Sequence, residues 1–265
     1  MILCASGDIH GSLNRFASDL LAFEEKLGVR FEHVLNVGDV GIWPDRRRMD
    51  KATRNHGGPG DFPDWLAERR AVPRPTVFVK GNHEDFMWIE EQRSAGVMEV
   101  LPGLRYLPNG EVTSFEADGE RMTVGGIGGC FGPSDYERPA SSLQSWSQRH
   151  FTHDEVSRLA DHAKLDILLL HDAPAGVAFT WRRNDGSVRR RYESEAEGLR
   201  QALVATQPVL CLFGHHHTRI DAVIEGVPCL GLNKVPYPGS MVALDINVER
   251  RSYEVLGEWL RDDVY

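Results

Sequence analysis

The 265-residue sequence has no apolar run near the ~18 residues that a membrane-crossing helix needs. Its opening residues, Met1-Ile2-Leu3-Cys4-Ala5-Ser6, lack the basic start and the longer apolar stretch of a secretory signal. Cysteine is scarce: Cys4, Cys130, Cys211 and Cys229 are scattered, with no C-x-x-C pair. That spacing argues against a disulfide framework and for reduced, mostly buried thiols in a cytoplasmic protein. Positive charge is also short. A formal net charge of −9 argues against a nonspecific nucleic-acid binder, which would usually be basic. A phosphate-bearing substrate is still compatible, because bound divalent cations reverse the local sign of a site. Repeats, low-complexity tracts and linkers are missing as well. One domain over residues 1–265 is therefore expected, with no obligate protein partner and no membrane partner.

What remains is an ordinary globular composition, 41% hydrophobic and 26% charged. Short apolar runs alternate with helical patterns. Strands are expected at 2–6, 34–37, 75–80, 166–170 and 209–213. A helix is expected over 12–27, capped by Ser12, with Leu13, Phe16, Ala17, Leu20, Leu21 and Leu27 on one face. Two capping-box matches, Thr152-His153-Asp154-Glu155 and Ser194-Glu195-Ala196-Glu197, predict helices to about His162 and Thr206. The stretch 111–127 and the chain after 219 read as β-rich. Residues 43–62, 130–150 and 174–193 read as irregular.

Each of the five strands runs into a polar cluster. The clusters are Gly7-Asp8-Ile9-His10-Gly11, Gly38-Asp39-Val40-Gly41, Gly81-Asn82-His83-Glu84-Asp85, His171-Asp172 and Gly214-His215-His216-His217. Any one alone reads as a surface loop. Together, following strands that share a sheet, they converge at the carboxyl edge where α/β sheets bind ligands. In an extended D-x-H or H-x-H the outer residues point the same way, which pairs Asp8 with His10 and His215 with His217 and turns His216 away. Carboxylate and imidazole donors without thiolate suit Mn, Fe or Zn. Asp8, His10, Asp39, Asn82, His171, His215 and His217 are too many for one ion and fill two sites if Asp39 bridges. Two such ions ~3.5–4 Å apart lower the pKa of a shared water and clamp an in-line displacement at phosphorus.

The pattern D-x-H, G-D, G-N-H-E, H, G-H-x-H resembles the calcineurin-like metallophosphoesterase superfamily and spans residues 8–217. The resemblance implies an α/β fold, a β-sandwich of two mixed sheets flanked by helices. It implies one ion on Asp8, His10, Asp39 and His217, and a second on Asp39, Asn82, His171 and His215. It makes His83 the leaving-group acid or a transition-state donor, with Glu84 or Asp85 as its orienting neighbour, and Asp39 the bridging ligand of the catalytic centre. A narrower stretch, Gly125 to Phe131 with Ser134-Asp135-Tyr136, Arg149-His150 and Leu169 to Pro174, resembles RNA lariat-debranching enzymes. Those enzymes often carry Cys where this chain has Asp8.

The implied activity is hydrolysis of a phosphodiester of a nucleotide or RNA by metal-activated hydroxide. The alternatives are a phosphomonoesterase and, from another class, a catalytically silent scaffold of the same fold. Substrate-contact candidates are Arg46, Arg47, Arg182, Arg183 and Tyr136, with Arg48 and Arg189-Arg190-Arg191 as further basic runs and Trp43, Trp146 and Trp181 as stacking candidates.

Overall fold

A computed structural model describes residues 1–49, 51–55, 60–117, 119–182 and 188–260. In chain order the strands are β1 (Ile2–Ser6), β2 (His33–Asn36), β3 (Thr76–Phe78), β4 (Glu99–Leu101), β5 (Leu104–Tyr106), β6 (Val112–Ala117), β7 (Glu120–Ile127), β8 (Ile167–Leu170), β9 (Ala178–Arg182), β10 (Val188–Tyr192), β11 (Leu210–Phe213), β12 (Ile220–Ile224), β13 (Val227–Gly231), β14 (Met241–Asn247) and β15 (Ser252–Glu258). The helices are α1 (Leu13–Leu27), α2 (Lys51–Asn55), α3 (Phe62–Glu68), α4 (Phe86–Ser94), α5 (His153–Ala160) and α6 (Glu197–Thr206).

The strands form two mixed sheets. One has the order β15-β14-β1-β2-β3-β5-β4 and the other β12-β13-β11-β8-β7-β6. Period-2 alternation assigns each side chain to a layer. Leu3, Ala5, Leu35, Val37 and Val77 meet Val124, Ile167, Leu169, Leu210 and Leu212 between the sheets. The intervening Cys4, Val34 and Phe78 face outward under Phe16, Leu20 and Trp65 of α1 and α3. Leu168, Leu170, Cys211 and Phe213 do the same under Leu159 of α5 and Leu199 of α6. The architecture is thus helix, sheet, sheet, helix. Each aliphatic side chain buried in these layers stabilises the fold by about 1.5–3 kcal/mol. All four cysteines are free thiols, and Cys4, Cys211 and Cys229 are buried.

Several sequence expectations change. The five cluster-bearing strands do not share one sheet: β1, β2 and β3 belong to the first, β8 and β11 to the second. Leu21 is 46% exposed. It lies one step round the helix from the buried stripe Leu13, Phe16, Leu20 and Phe23, too far to reach the sheet. Ser12 makes no side-chain cap; Asp61 Oδ2 instead accepts the Asn14 N–H at 2.7 Å. The Thr152 capping box is present. The Ser194 one is not, because Glu193 Oε1 already accepts the Ser194 N–H at 2.9 Å and the Glu195 carbonyl accepts the Glu197 N–H at 3.0 Å, and α6 begins at Glu197. Within 174–193, β9 and β10 form an antiparallel ribbon where irregular chain was expected. Helices α3 and α4 had no periodic signal long enough to detect; α4 is set by Asp85, which accepts the Trp88 N–H at 3.2 Å as its N-cap.

Candidate metal centre

Strands β1, β2 and β3 are parallel neighbours, and so are β8 and β11, so within each sheet the chain leaves at the same edge. The two edges meet at one seam. His171, leaving β8, gives its Nδ1 to the Val37 carbonyl beyond β2 at 2.8 Å. That bond orients the ring and points Nε2 into the seam. Close approach demands glycine at two places. A Cβ on Gly38 (φ +103°) would lie 2.7 Å from His171 Nδ1, and one on Gly81 would lie 1.9 Å from Asp39 Oδ1.

The loops themselves are not extended. His10, Asp39, His215 and His217 have φ of 48°, 48°, 62° and 48°. A left-handed conformation costs a non-glycine residue about 1–2 kcal/mol, so strain rather than strand alternation aims these side chains. His216 does turn away, stacking on Phe179 with ring centroids 4.1 Å apart and bonding Asp172 Oδ1 at 3.2 Å.

Asp39 organises the centre. Its Oδ1 accepts the N–H groups of Asn82 and His83 at 2.8 and 2.7 Å, which ties the Gly81–His83 turn to the β2 loop. Its Oδ2 stands 3.8 Å from His10 Nε2 and 3.7 Å from His171 Nε2. On the first side, donor atoms of Asp8, His10, Asp39 and His217 all lie within 4.8 Å of one another. His217 Nε2 is 2.9 Å from both His10 Nε2 and Asp8 Oδ2, and that buried carboxylate oxygen receives no hydrogen bond. On the second side, His171 Nε2 is 2.9 Å from Asn82 Oδ1, and the His171 and His215 rings are 5.1 Å apart. An orphaned carboxylate oxygen among facing imidazole nitrogens is what a divalent cation would satisfy, so the residues present fit metal. Metal binding should therefore stabilise the chain. At about 100 times Kd the gain is ~2.7 kcal/mol, a rise in Tm of roughly 5–10 °C for a chain of this size. Differential scanning fluorimetry of chelator-treated protein with and without Mn2+ measures it; an unchanged Tm would contradict the metal reading of the cluster.

The electrostatics suit the same role. Burial lowers His10, against the Asp39 and Asp8 charges. Burial and then the nearby His171 lower His215 to about 4, so its lone pair is available at neutral pH. Burial would raise the Asp39 carboxyl, but His171, His10, His83 and His215 outweigh it and hold the group below the usual carboxylate range. His171 is raised: burial opposes the shift, and the Asp39 and Asp8 charges prevail.

A ring of polar braces surrounds these residues. Glu84 is buried and accepts the N–H groups of Val40, Gly41 and Ile42 at 2.9, 3.1 and 2.6 Å, clamping the Asp39 loop. Burial and the Asp39 charge push its carboxyl up to about 8, with the backbone donors pulling it back. Asn36 bonds the Gly7 carbonyl at 2.8 Å and the Gly38 N–H at 3.0 Å, joining two ligand loops. Lys80 Nζ donates to the Gln148 carbonyl at 2.6 Å and holds the 130–150 stretch against β3. Asp172 accepts the Phe131 N–H at 3.0 Å. Burial opposes its ionisation, but the His216 hydrogen bond, the His215 charge and the Phe131 N–H lower it to about 2 from 3.8. A depressed carboxyl stabilises the fold above its unfolded pKa and loses that contribution as pH falls through the folded value. In metal-free protein the Tm gap between wild type and Asp172→Asn should hold above about pH 4 and shrink toward pH 2. A gap independent of pH would contradict that role. Of these braces Glu84 and Asp172 stand in the polar clusters of the sequence, whereas Asn36 and Lys80 lie within the strand runs and carried no separate signal.

His83 lies beside the cluster, its ring centroid 5.7 Å from that of His10. Thr53 Oγ1 is 3.2 Å from His83 Nδ1, and Trp43 Nε1 donates to the His83 carbonyl at 3.1 Å. The expected orienters serve elsewhere: Glu84 holds the Asp39 loop, and Asp85 caps α4 and pairs with Arg48 at 2.8 Å. Thr53, from the stretch read as irregular, was not anticipated. Arg46 pairs with Asp64 and Arg47 with Asp45, each at 2.9 Å. Tyr136 packs in its own loop against Phe131 and Phe151. Arg183 lies outside the described residues. Arg182 and Trp181 end β9, with side chains that are likewise not described. Trp43 is buried, whereas Trp146 is 44% exposed.

Fold and donor set together define a metal-dependent phosphoester hydrolase. Residues 2–219 match the calcineurin-like phosphoesterases, and the chain belongs to that family. It is 26% identical over 242 residues to the lariat debranching enzyme of Schizosaccharomyces pombe, covering 83% of this chain and 48% of that protein. Against the lariat debranching enzyme of Arabidopsis thaliana identity is 23% over 286 residues, covering 98% and 67%. This chain thus spans about half to two-thirds of the length of these relatives. Among solved structures, TT1561 of Thermus thermophilus shares the fold with a TM-score of 0.56 and 15% identity, covering 98% of this chain and 99% of that one. No helix among the described residues is long and apolar enough to cross a membrane.

Proposed function

We propose that the chain is a phosphodiesterase acting on a nucleotide or nucleic acid, with two divalent cations held by the seven residues named above. The observation that carries this reading is the placement of Asp39 Oδ2 between two donor groups, 3.8 Å from His10 Nε2 and 3.7 Å from His171 Nε2. Asp8, His10 and His217 would complete one site, and Asn82, His171 and His215 the other. When bound, the cations supply Lewis acidity, polarising the phosphoryl oxygens and acidifying water. An all-oxygen-and-imidazole donor set favours Mn2+ or Fe2+, with Zn2+ next.

The chain's own groups do the rest. Asp39 Oδ1, tied to two backbone N–H groups, keeps Oδ2 from rotating. His83, its Nδ1 3.2 Å from the Thr53 hydroxyl, would give a proton to the departing oxygen. The names of the curated relatives favour a diester over a monoester substrate. The four free thiols fit a reducing compartment such as the cytoplasm.

Elemental analysis should find close to two transition-metal ions per chain. Bis-(p-nitrophenyl) phosphate should be turned over at least tenfold faster than p-nitrophenyl phosphate. The reverse preference would replace the diesterase reading with a monoesterase one, and a metal-replete protein inert on both would replace it with a silent scaffold.

A further inference from the structure

The β9–β10 ribbon stands apart from both sheets; its two strands pair only with each other. Its root touches the metal centre. Phe179 on β9 is buried against His216, the residue between the ligand candidates His215 and His217. The other strand, Val188–Tyr192, is exposed along its whole length and carries Arg189, Arg190 and Arg191 in succession.

Most arginines near the site's loops are neutralised: Arg46, Arg47, Arg48 and Arg219 each pair with a carboxylate. Among the described residues none of Arg189, Arg190 and Arg191 has a carboxylate partner. The register sets Arg191 opposite Phe179 and Arg190 opposite Thr180. Arg190 lies over the Tyr192 ring, 4.9 Å from its centroid, and that ring is 53% exposed. Successive residues of a strand alternate faces, so Arg189 and Arg191 lie on one side of β10 and Arg190 with Tyr192 on the other, and among the described residues no carboxylate offsets the three charges. Unpaired guanidinium groups with an exposed aromatic ring are the two elements that grip a single strand of nucleic acid, the cations taking phosphates and the ring a base. On a chain of net charge −9, such a strip is also a place where a polyanion is drawn rather than repelled.

We propose that β10 is a docking rail for single-stranded nucleic acid, holding the phosphate backbone through Arg189, Arg190 and Arg191 and a base on Tyr192, beside the metal centre at which the strand is cut. The inference rests on the phosphodiesterase reading above. The test uses the metal-loaded enzyme and two readouts. Fluorescence anisotropy follows binding of a labelled, phosphorothioate-linked 15-mer of thymidine, and bis-(p-nitrophenyl) phosphate reports the centre itself.

In the combined variant Arg189→Ala, Arg190→Ala, Arg191→Ala, oligonucleotide binding should weaken at least tenfold. The slope of log affinity on log salt should fall by about 2, three phosphate contacts at ~0.7 each. Turnover of the small diester should stay within twofold of wild type, since these side chains are exposed. The matching Arg→Lys variant should restore most of the binding. The proposal fails if wild type does not bind the 15-mer, or if the Ala variant binds it with wild-type affinity and salt slope. It fails equally if the variant loses affinity for poly-glutamate but not for the oligonucleotide, which would make β10 a contact for an acidic protein. An enzyme inert on the small diester would overturn the phosphodiesterase reading instead, while the binding experiment would still decide the ribbon.

Discussion

Asp39→Asn is expected to abolish turnover of a phosphodiester, by about 10³-fold or more, and to lower metal content below one ion per chain. The two oxygens of Asp39 have separate tasks. Oδ1 is held by the Asn82 and His83 N–H groups at 2.8 and 2.7 Å, and an asparagine oxygen can keep those bonds. The amide nitrogen must then take the Oδ2 position, replacing a shared anionic acceptor with a donor turned toward His10 and His171. Loss even of an outer partner of a metal ligand costs about 10–100-fold, so loss of the ligand proposed to serve both sites should exceed that. Far-UV circular dichroism should match wild type, because the Gly81–His83 turn retains its anchor. Added Mn2+ should no longer raise Tm. A variant that keeps two ions and wild-type turnover would show that Oδ2 does not bridge.

His83→Ala should separate chemistry from metal binding. The side chain lies next to the cluster, with its Nδ1 3.2 Å from the Thr53 hydroxyl. Removing it should lower kcat by about 10²–10⁴-fold, the range for a lost general acid. Metal content and KM should stay near wild type. The deficit should shrink for substrates with a good leaving group such as p-nitrophenolate, which departs without a proton, and persist for an alkyl alcohol. Thr53→Val should reproduce part of the loss, since the ring would keep its place in sequence but lose its orienting hydroxyl. Equal losses on good and poor leaving groups would instead make His83 a donor to the phosphoryl oxygens.

Much of the architecture was legible before any coordinates. The period-2 alternation that divides Leu3 and Ala5 from Cys4 is written directly in β1, and the apolar runs at 34–37, 166–170 and 209–213 locate β2, β8 and β11 within a residue or two. The Thr152 cap was readable because its reciprocal bonds are local, three residues apart. The Ser194 pattern looked the same and failed, because Glu193 outside the motif took the Ser194 N–H and the Glu195 carbonyl took the Glu197 N–H. The β9–β10 ribbon was missed for a related reason: Val188 to Tyr192 lacks the apolar-polar alternation of a half-buried strand, since neither of its faces enters a core.

The sequence by itself determined which residues have the chemistry to hold cations and that each follows a strand, because donor type and strand pattern are local properties of the chain. Only the tertiary structure decided that those strands come from two sheets meeting at a seam, that left-handed backbone at His10, Asp39, His215 and His217 aims the donors, and that Glu84 clamps the Asp39 loop while Thr53 meets His83 and Asp172 meets His216. Those features depend on contacts between segments far apart in the chain, where packing of one sheet edge on another chooses the partner and no local pattern records the choice.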